Sequence, residues 1–246
     1  MCGIIGILDN DEARELATRG VQHIMHRGQD GQGLISPTGD LRNIFGHCLH
    51  AIVGKVRQPL TSETSTLTAN CEIYNWKELC ARHNIQARND AELLHALLDR
   101  LPLEQVLAEV DGVYAFAYCR YGHLTLVRDL IGVKPLFYDH ETCSFASESK
   151  ALILLGYQQV VELDPRTIVK HHLVTKEREQ VNRRFFRIAP QHKGGHKAFQ
   201  EQTRKLLVEA VRKRLPEGET KIGVLFSGGI DSTIIARIIQ ETGREV

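Results

Sequence analysis

The sequence predicts an α+β chain in which layered, largely antiparallel sheets are flanked by helices, followed by the first strand–loop–helix unit of an α/β domain. Short β-rich apolar runs dominate up to about Gly156, and the predicted strands and helices are grouped rather than strictly alternating. This grouping is typical of antiparallel layers. Near the carboxyl end, an apolar run, a glycine turn and a helical pattern follow one another, which indicates one unit of a parallel sheet.

The first region contains both kinds of element. Its apolar runs predict strands at residues 4–8, 44–52, 114–118, 124–127 and 135–138. Apolar residues at helical spacing predict two helices, over residues 13–25 and 90–101.

The carboxyl-terminal region has a different pattern. Residues from about Tyr157 to His196 are polar and basic, and they predict short strands and a connecting segment. An amphipathic helix is predicted over 197–214, then a strand over 222–226 and a helix from about Asp231. A parallel sheet needs several such units to bury both faces, so we expect only the opening of a domain here. The sequence therefore predicts a first domain over residues 1–160, short strands and a connecting segment over 161–196, and the opening of a second domain over 197–246.

Composition excludes several classes of function. The 246 residues are 42% hydrophobic and 25% charged, with a formal net charge of +1, which gives no electrostatic preference for nucleic acid or membrane. No apolar run is long enough to cross a bilayer, and the first residues lack the basic segment of a signal peptide. We therefore expect a cytoplasmic chain whose six cysteines stay reduced. No cysteine or histidine spacing indicates a metal site.

Cys2 is the first residue whose position indicates chemistry. If Met1 is removed, one residue supplies both a thiol and a free α-amine. The amine has an ordinary pKa near ~8 and the thiol near ~8.5, so the amine can take the thiol proton directly or through a water. Alternatively, Cys2 is a small apolar residue that opens a buried strand.

Six motifs support the catalytic interpretation. In order they are MCGIIG at the start, HRGQD at 26–30, NCEIYN at 70–75, NDAELL at 89–94, RDLIGVKPLFY at 128–138 and FASESKAL at 145–152. Together they resemble the class II glutamine amidotransferase domain, most closely that of glutamine-dependent asparagine synthetases, over roughly residues 1–160. The resemblance implies a four-layer αββα sandwich of the N-terminal-nucleophile type, and glutamine hydrolysis without a cofactor.

The resemblance also implies roles for single residues. Cys2 would be the nucleophile and its α-amine the base, while the Asn70 side chain and the Cys71 N–H would form the oxyanion hole. Cys71 stands where the family usually has glycine, so its backbone must allow a side chain. Asp90 would bind the glutamine α-ammonium and Glu72 would line the pocket. The residues alone also allow Asp90 as a helix cap and Glu72 as a solvated strand residue.

Two further segments are expected to support the site. Arg27 and Asp30 would shape the loop behind the nucleophile, although a surface turn also fits them. The run at residues 128–135, which includes Lys134, is interpreted chiefly as architecture: a strand, a turn and a second strand.

One position departs from the family pattern. The family usually has an arginine shortly after the histidine-bearing strand, and it holds the substrate α-carboxylate; here Leu49 occupies that place. Without a charge-assisted partner, glutamine binding would weaken by about 2 kcal/mol or more. Arg57 is the candidate substitute, and Ile52 and Val53 would offer backbone contacts.

The sequence SGGIDS at 227–232 resembles the PP-loop of ATP pyrophosphatases. Its glycines let the backbone approach closely, and its N–H groups with a helix N-terminus would bind phosphate. Asp231 would help to hold Mg²⁺ or cap the helix. The predicted ATP-binding residues are Leu225, Ser227, Gly228, Gly229, Asp231 and Ser232. A plain strand-to-helix turn is the alternative.

These features predict an enzyme that hydrolyses glutamine and supplies ammonia for the ATP- and Mg²⁺-dependent conversion of aspartate to asparagine. The aspartate-selecting residues would lie beyond Val246, so we expect this chain to hydrolyse glutamine without making asparagine. The expected partners are glutamine and, with a completed synthetase part, aspartate and ATP. A second copy of the chain, or a partner chain that supplies the rest of the synthetase part, is also expected.

Two other functions stay open. Leu49 and Cys71 also fit a glutamine-binding regulatory domain with weak catalysis. A second alternative is an amidotransferase that serves another PP-loop acceptor. HRGQD, with Gln29, also resembles the phosphoribosyl-pyrophosphate amidotransferases, but SGGIDS argues against them because their second domain lacks it.

Overall fold

The computed structural model describes residues 1–52, 54–183, 194–216 and 221–243. It divides the chain into two compact units, Met1–Phe185 and Phe186–Val246.

Strands dominate the first unit. They are β1 (Gly3–Ile7), β2 (Gly31–Ile35), β3 (Ile44–Leu49), β4 (Leu60–Thr61), β5 (Ser65–Ile73), β6 (Gly112–Arg120), β7 (His123–Arg128), β8 (Phe137–Asp139), β9 (Phe145–Ala146), β10 (Val160–Glu162), β11 (Thr167–His172) and β12 (Arg178–Asn182). The helices of this unit are α1 (Ala13–Ile24), which a 3₁₀ turn at Met25–Arg27 follows, α2 (Trp76–His83), α3 (Asp90–Arg100), α4 (Leu103–Glu109) and α5 (Ser149–Leu154).

The strands form two six-stranded sheets. The first has the order β10–β8–β9–β1–β3–β2, and the second has the order β12–β11–β7–β6–β5–β4. Every described pair of neighbours is antiparallel. The predicted antiparallel sheets are therefore confirmed.

Strand β1 is buried along its whole length because both faces of its sheet are covered. Successive side chains of a strand point to opposite faces. Ile4 packs in the core between the two sheets with Phe45 and Ala117. Ile5 packs on the other side, with Val21 of α1.

The second sheet is covered in the same way on its outer face. There Leu67 and Phe116 pack with Leu94 and Leu97 of α3. The order of layers is therefore helix, sheet, sheet, helix, which confirms the αββα sandwich.

Three helices of this unit go beyond the two that the sequence predicts. They are α2, α4 and α5, with eight, seven and six residues. Helices this short repeat their apolar residues too few times to give a clear period; α2 fully buries only Leu79, and α4 only Val106. Strand β5 does not stand out as an apolar run either, because its buried residues include Ser65, Thr68 and Asn70.

The second unit contains α6 (His196–Arg212) and α7 (Ile230–Glu241). Helix α6 lies within two residues of the predicted bounds. The prediction of a strand at 222–226 is wrong, because the structure assigns no strand to these residues. A strand needs a neighbour with which to share hydrogen bonds, and the described part of this unit offers none.

Candidate active site

Cys2 lies just before β1, outside the strand, and is half-buried. Its Sγ accepts a hydrogen bond from the His50 N–H at 3.4 Å and lies 3.6 Å from the His50 carbonyl oxygen. Arg27 Nε donates to the carbonyl oxygen of Cys2 at 3.0 Å. The thiol is therefore held at the ends of β1 and β3 and is not sealed inside the core.

Several neighbouring groups act on the Cys2 thiol. Burial raises the pKa of Cys2, and the carboxylate of Asp90 adds to this effect. The His50 hydrogen bond, the chain's amino terminus and Lys134 each act to lower the pKa of Cys2. Because the thiolate is the nucleophile, this thiol needs a nearby base to react at neutral pH.

Asn70 lies on β5 opposite Ala115 of β6 and is only 2% exposed. Its side-chain Nδ2 is buried and has no hydrogen-bond partner among the described residues. An unpaired buried donor costs free energy. Such a group is suited to a ligand oxygen, and an oxyanion hole requires donors of this kind.

Cys71 follows Asn70 on the same strand. Its φ is not positive, so a side chain in place of the family's glycine needs no left-handed backbone. Burial raises the pKa of Cys71 well above its ordinary value, and the nearby Asp90 carboxylate adds to this effect. The backbone N–H remains the group of Cys71 that the sequence assigns to the oxyanion hole.

Asp90 is the first residue of α3 but not its cap. The N-cap is Asn89, whose side chain accepts a hydrogen bond from the Glu92 N–H at 3.0 Å. The capping alternative for Asp90 is therefore wrong. The Asp90 carboxylate instead accepts hydrogen bonds at 3.0 Å from the N–H groups of Ile73 and Ala91. Burial raises the pKa of Asp90, and these hydrogen bonds oppose that rise.

Glu72 lies on β5 with its side chain 45% exposed. Its Oε1 is 2.5 Å from Nζ of Lys134, a residue that is only 3% exposed. The Lys134 charge also acts to lower the pKa values of Cys2 and Cys71. The sequence predicts an architectural role for this segment and does not place Lys134 at the site. A lysine inside the otherwise apolar run GVKPLF is the signal that points to a buried amine.

The rest of that segment is built as a rigid turn. The Asp129 carboxylate accepts hydrogen bonds from the N–H groups of Val133 at 2.9 Å and Lys134 at 3.0 Å. Arg128 Nε donates to the Lys134 carbonyl at 3.0 Å. Gly132 has φ +74, a conformation that side chains rarely adopt. These contacts fix the backbone from which the Lys134 side chain reaches Glu72.

The loop after β3 contacts Cys2 through His50. Leu49 ends β3 and is 4% exposed, so an apolar side chain is buried where the family has its arginine. Asp30 donates its N–H to the Leu49 carbonyl at 2.9 Å, and its carboxylate accepts from the Ala51 N–H at 2.8 Å. Asp30 therefore holds the loop that contacts the Cys2 thiol, and Arg27 holds the Cys2 backbone, which agrees with the places expected from the sequence.

The remaining predicted glutamine contacts lie farther along this loop. Ile52 is exposed, and Val53 lies outside the described residues. Arg57 is exposed, and no hydrogen bond or ion pair joins it to another described residue. The adjacent Gln58 is buried and hydrogen-bonds to Ala69, the neighbour of Asn70. The backbone that carries Arg57 therefore runs beside β5.

The predicted ATP-binding residues lie at the start of α7 in the second unit. Gly228 has φ +76, and Gly229 is the N-cap, without a side-chain hydrogen bond. The hydroxyls of Ser227 and Ser232 are 3.2 Å apart. Asp231 lies in the first turn and is exposed, and so is Leu225.

Three general properties apply to the described residues. No group of three or more His, Cys, Asp and Glu side chains there is placed to hold a metal ion. None of the helices described is long and apolar enough to span a bilayer. All six cysteines are free thiols.

Comparison with known proteins adds independent information. Residues 1–206 match the model of the glutamine amidotransferase domain, and residues 202–246 match that of asparagine synthase. A putative asparagine synthetase [glutamine-hydrolyzing] 1 of Methanocaldococcus jannaschii is 30% identical, and the match covers 97% of this chain and 51% of that protein. The asparagine synthetase of Gallus gallus is 28% identical over 100% of this chain and 49% of its own length. The chain therefore spans about half the length of the curated relatives it matches.

A solved structure has a similar fold. Glutamine phosphoribosylpyrophosphate amidotransferase from B. subtilis, complexed with ADP and GMP, matches with a TM-score of 0.65 at 20% identity. The match covers 99% of this chain and 65% of that one. The match to the family model over residues 1–206 and the αββα sandwich agree, and the chain belongs to the glutamine amidotransferase domain family.

Proposed function

We propose that this chain hydrolyses glutamine, with Cys2 as the nucleophile after removal of Met1. The observation that carries the proposal is the buried Nδ2 of Asn70, which has no hydrogen-bond partner among the described residues. The next residue on the strand, Cys71, lies close enough to Cys2 for their charges to interact. Attack on an amide carbonyl needs a nucleophile and hydrogen-bond donors for the oxygen that becomes negatively charged. Membership of the glutamine amidotransferase domain family supports the same reaction.

The reaction would proceed through a thioester. The α-amine of Cys2 takes the thiol proton, and the thiolate sulfur attacks the side-chain amide carbon of glutamine. Asn70 Nδ2 and the Cys71 N–H donate to the oxyanion of the tetrahedral intermediate. The C–N bond then breaks, and the nitrogen leaves as ammonia with the proton from the amine. Water hydrolyses the thioester, which releases glutamate and restores the thiol.

Charged side chains around Cys2 would orient the substrate. Asp90 would accept hydrogen bonds from the glutamine α-ammonium, with Glu72 beside it. Arg57 would donate to the α-carboxylate, the role that the buried Leu49 cannot fill. Backbone groups of Ile52 and Val53 would complete the contacts. The half-exposed carboxylate of Glu72 and the unpaired guanidinium of Arg57 among the described residues support this arrangement.

The second unit would bind ATP with Mg²⁺, the cofactors that asparagine synthetases use in general. Its residues fit phosphate, because no described residue beyond the chain neighbours of Gly228 has an atom within 4 Å of the place where a Cβ of Gly228 would stand, and α7 has no side-chain cap. The hydroxyls of Ser227 and Ser232 would donate to phosphate oxygens and Asp231 would face Mg²⁺, with Leu225 on the adenine or ribose side.

In a longer protein, this unit would contribute to the conversion of aspartate to asparagine with the ammonia released at Cys2. A second copy of the chain, or a partner chain that completes the ATP-binding part, would then be its partner. The cytoplasm is the proposed compartment, because Cys2 would remain reduced there.

The rate of glutamate release from glutamine tests the proposal. Wild-type protein with Met1 removed is expected to release glutamate, and Cys2→Ala is expected to lose at least ~1000-fold in rate, because a missing nucleophile costs at least this much. Cys80→Ala is the matched control, because Cys80 is a half-buried thiol on α2. Equal rates in the wild type and Cys2→Ala would overturn the proposal.

The burial of Leu49 in place of an arginine favours a second candidate, a glutamine-binding domain with little turnover. Calorimetric binding of glutamine, measured on the same protein, separates the two. Binding without Cys2-dependent release of glutamate would favour the second candidate.

A further inference from the structure

Ala69, the residue before Asn70, lies on β5 at a place where one edge of the strand has no neighbouring strand. On one side, β6 pairs with β5 along its whole length, with Ala69 opposite Phe116. On the other side, β4 pairs only with Thr66 and Leu67. The N–H and C=O of Ala69 on that edge therefore have no strand partner. Because Ala69 is 1% exposed, these groups must find hydrogen bonds elsewhere.

The side chain of Gln58 supplies them. Its Oε1 accepts from the Ala69 N–H at 2.8 Å, and its Nε2 donates to the Ala69 carbonyl at 3.1 Å. The primary amide of this side chain therefore takes the place of a peptide group in a neighbouring strand. Gln58 is 5% exposed, so water does not compete freely for these bonds.

His47 reaches the same carbonyl from the other sheet. Its Nε2 lies 3.2 Å from the Ala69 oxygen, and it is fully buried. A carbonyl oxygen only accepts, so Nε2 carries the proton and Nδ1 does not. Nδ1 has no partner among the described residues. The carbonyl of Ala69 thus receives two donors, Nε2 of Gln58 and Nε2 of His47.

His47 also connects Ala69 with β1, the strand that follows Cys2. It is paired with Ile4 in β1, two residues from Cys2, and with Gly33 in β2. A Cβ at Gly33 would stand 2.1 Å from the Gln58 carbonyl oxygen, so β2 packs directly against Gln58. Through these contacts, β1, which directly follows Cys2, and β5, which carries Asn70, are connected across the core.

We propose that Gln58 and His47 are positioning residues for the oxyanion hole. They form a clamp on Ala69, hereafter the Ala69 clamp, which sets the place of the Asn70 amide relative to Cys2. The proposal rests on the glutamine hydrolysis proposed above. It distinguishes these two residues from ordinary core residues, because their effect on catalysis passes through Asn70.

A double-mutant cycle tests this dependence. Gln58→Ala is expected to lower kcat for glutamine hydrolysis ~10- to 100-fold, a part of what a lost oxyanion donor costs, with KM changed less than about threefold. In the Asn70→Ala background, the same substitution is expected to change kcat by less than about threefold, because coupled residues are not additive. Gln105→Ala, which removes an exposed glutamine on α4, is the control. A full, multiplicative loss in the Asn70→Ala background would overturn the proposal.

Amide hydrogen exchange tests the clamp without activity. In Gln58→Ala, the Ala69 N–H is expected to exchange at least ~10-fold faster, the side-chain amide resonances of Asn70 are expected to shift, and exchange at Phe116 is expected to stay the same. Faster exchange throughout β5 and β6, or unchanged Ala69 exchange, would overturn the clamp. If the wild type shows no Cys2-dependent hydrolysis, the proposed function fails. The exchange data alone then decide whether Gln58 holds the Ala69 backbone in place.

Discussion

The ammonium nitrogen of Lys134 lies 2.5 Å from Oε1 of Glu72, so a buried cation meets a half-exposed carboxylate beside Cys2. Asp90, Glu72 and a Cys2 thiolate would bring three negative charges together. Lys134 provides the opposing charge, which helps the thiolate to form and keeps Glu72 in place.

Replacement of Lys134 by methionine should therefore slow the reaction of Cys2. Without the cation, burial and Asp90 raise the pKa of Cys2 further. We expect the pH profile of Cys2 alkylation to move to higher pH and kcat/KM for glutamine to fall about tenfold. Lys170→Met, on strand β11 near Glu179, is the control. An unmoved pH profile would show that Lys134 does not act on the thiol.

Asp90→Asn should weaken glutamine binding more than it slows turnover. The substitution keeps an oxygen for the Ile73 N–H but removes the charge that, in the proposed complex, would face the substrate ammonium. We expect KM to rise at least ~10-fold, with kcat changed less. Because burial raises the pKa of Asp90, protonation begins at a higher pH than for an ordinary aspartate, so KM in the wild type should rise as pH falls. A KM that stays constant as the pH falls would argue against a role of Asp90 in glutamine binding.

Arg57→Ala should also raise KM. A lost charge-assisted hydrogen bond corresponds to about 1.5–3 kcal/mol, or roughly a 10- to 100-fold change. Lys55→Ala removes another exposed cation from the same loop and should leave KM within about twofold. Equal KM values for wild type and Arg57→Ala would show that another group holds the carboxylate.

His47 should make the fold sensitive to acid. Burial lowers its pKa from 6.5 to about 4, so between these values the unfolded chain binds a proton that the folded chain does not. Stability contributed by neutral His47 is therefore complete above pH 6.5 and falls as pH drops toward 4, by about 3 kcal/mol in total. Urea denaturation at a series of pH values measures this loss. His47→Gln should reduce it, and an equal acid loss in both proteins would contradict the prediction.

The layered sandwich was predictable because its central strands are continuous apolar runs. The apolar runs at residues 4–8 and 114–118 predict strands that are buried on both faces, and the grouped order of elements indicates antiparallel sheets. The six motifs likewise predict that Cys2, Asn70 and Asp90 belong to one site. The strand expected at 222–226 was not found, because ladder formation depends on neighbours that the described residues lack.

The supporting residues were harder to predict, for a physical reason. Gln58 is a polar residue in the loop before β4, and it matters because β4 begins only at Leu60 and leaves Ala69 without a strand partner, which only the register of β4 with β5 reveals. The backbone around Lys134 forms the turn that the sequence indicates. The Lys134 side chain, however, contacts Glu72, which lies far away in the sequence. Contacts between residues 11 and 62 positions apart leave no local periodicity.

Mass spectrometry of protein from its native host, treated with a glutamine-analogue electrophile, shows which residue comes first in the mature chain and which thiol reacts. We predict a chain that begins at Cys2 and carries one adduct, on that residue. An intact Met1, or an adduct on any other cysteine with Cys2 unmodified, would contradict the central claim that the mature chain opens with its own nucleophile and base.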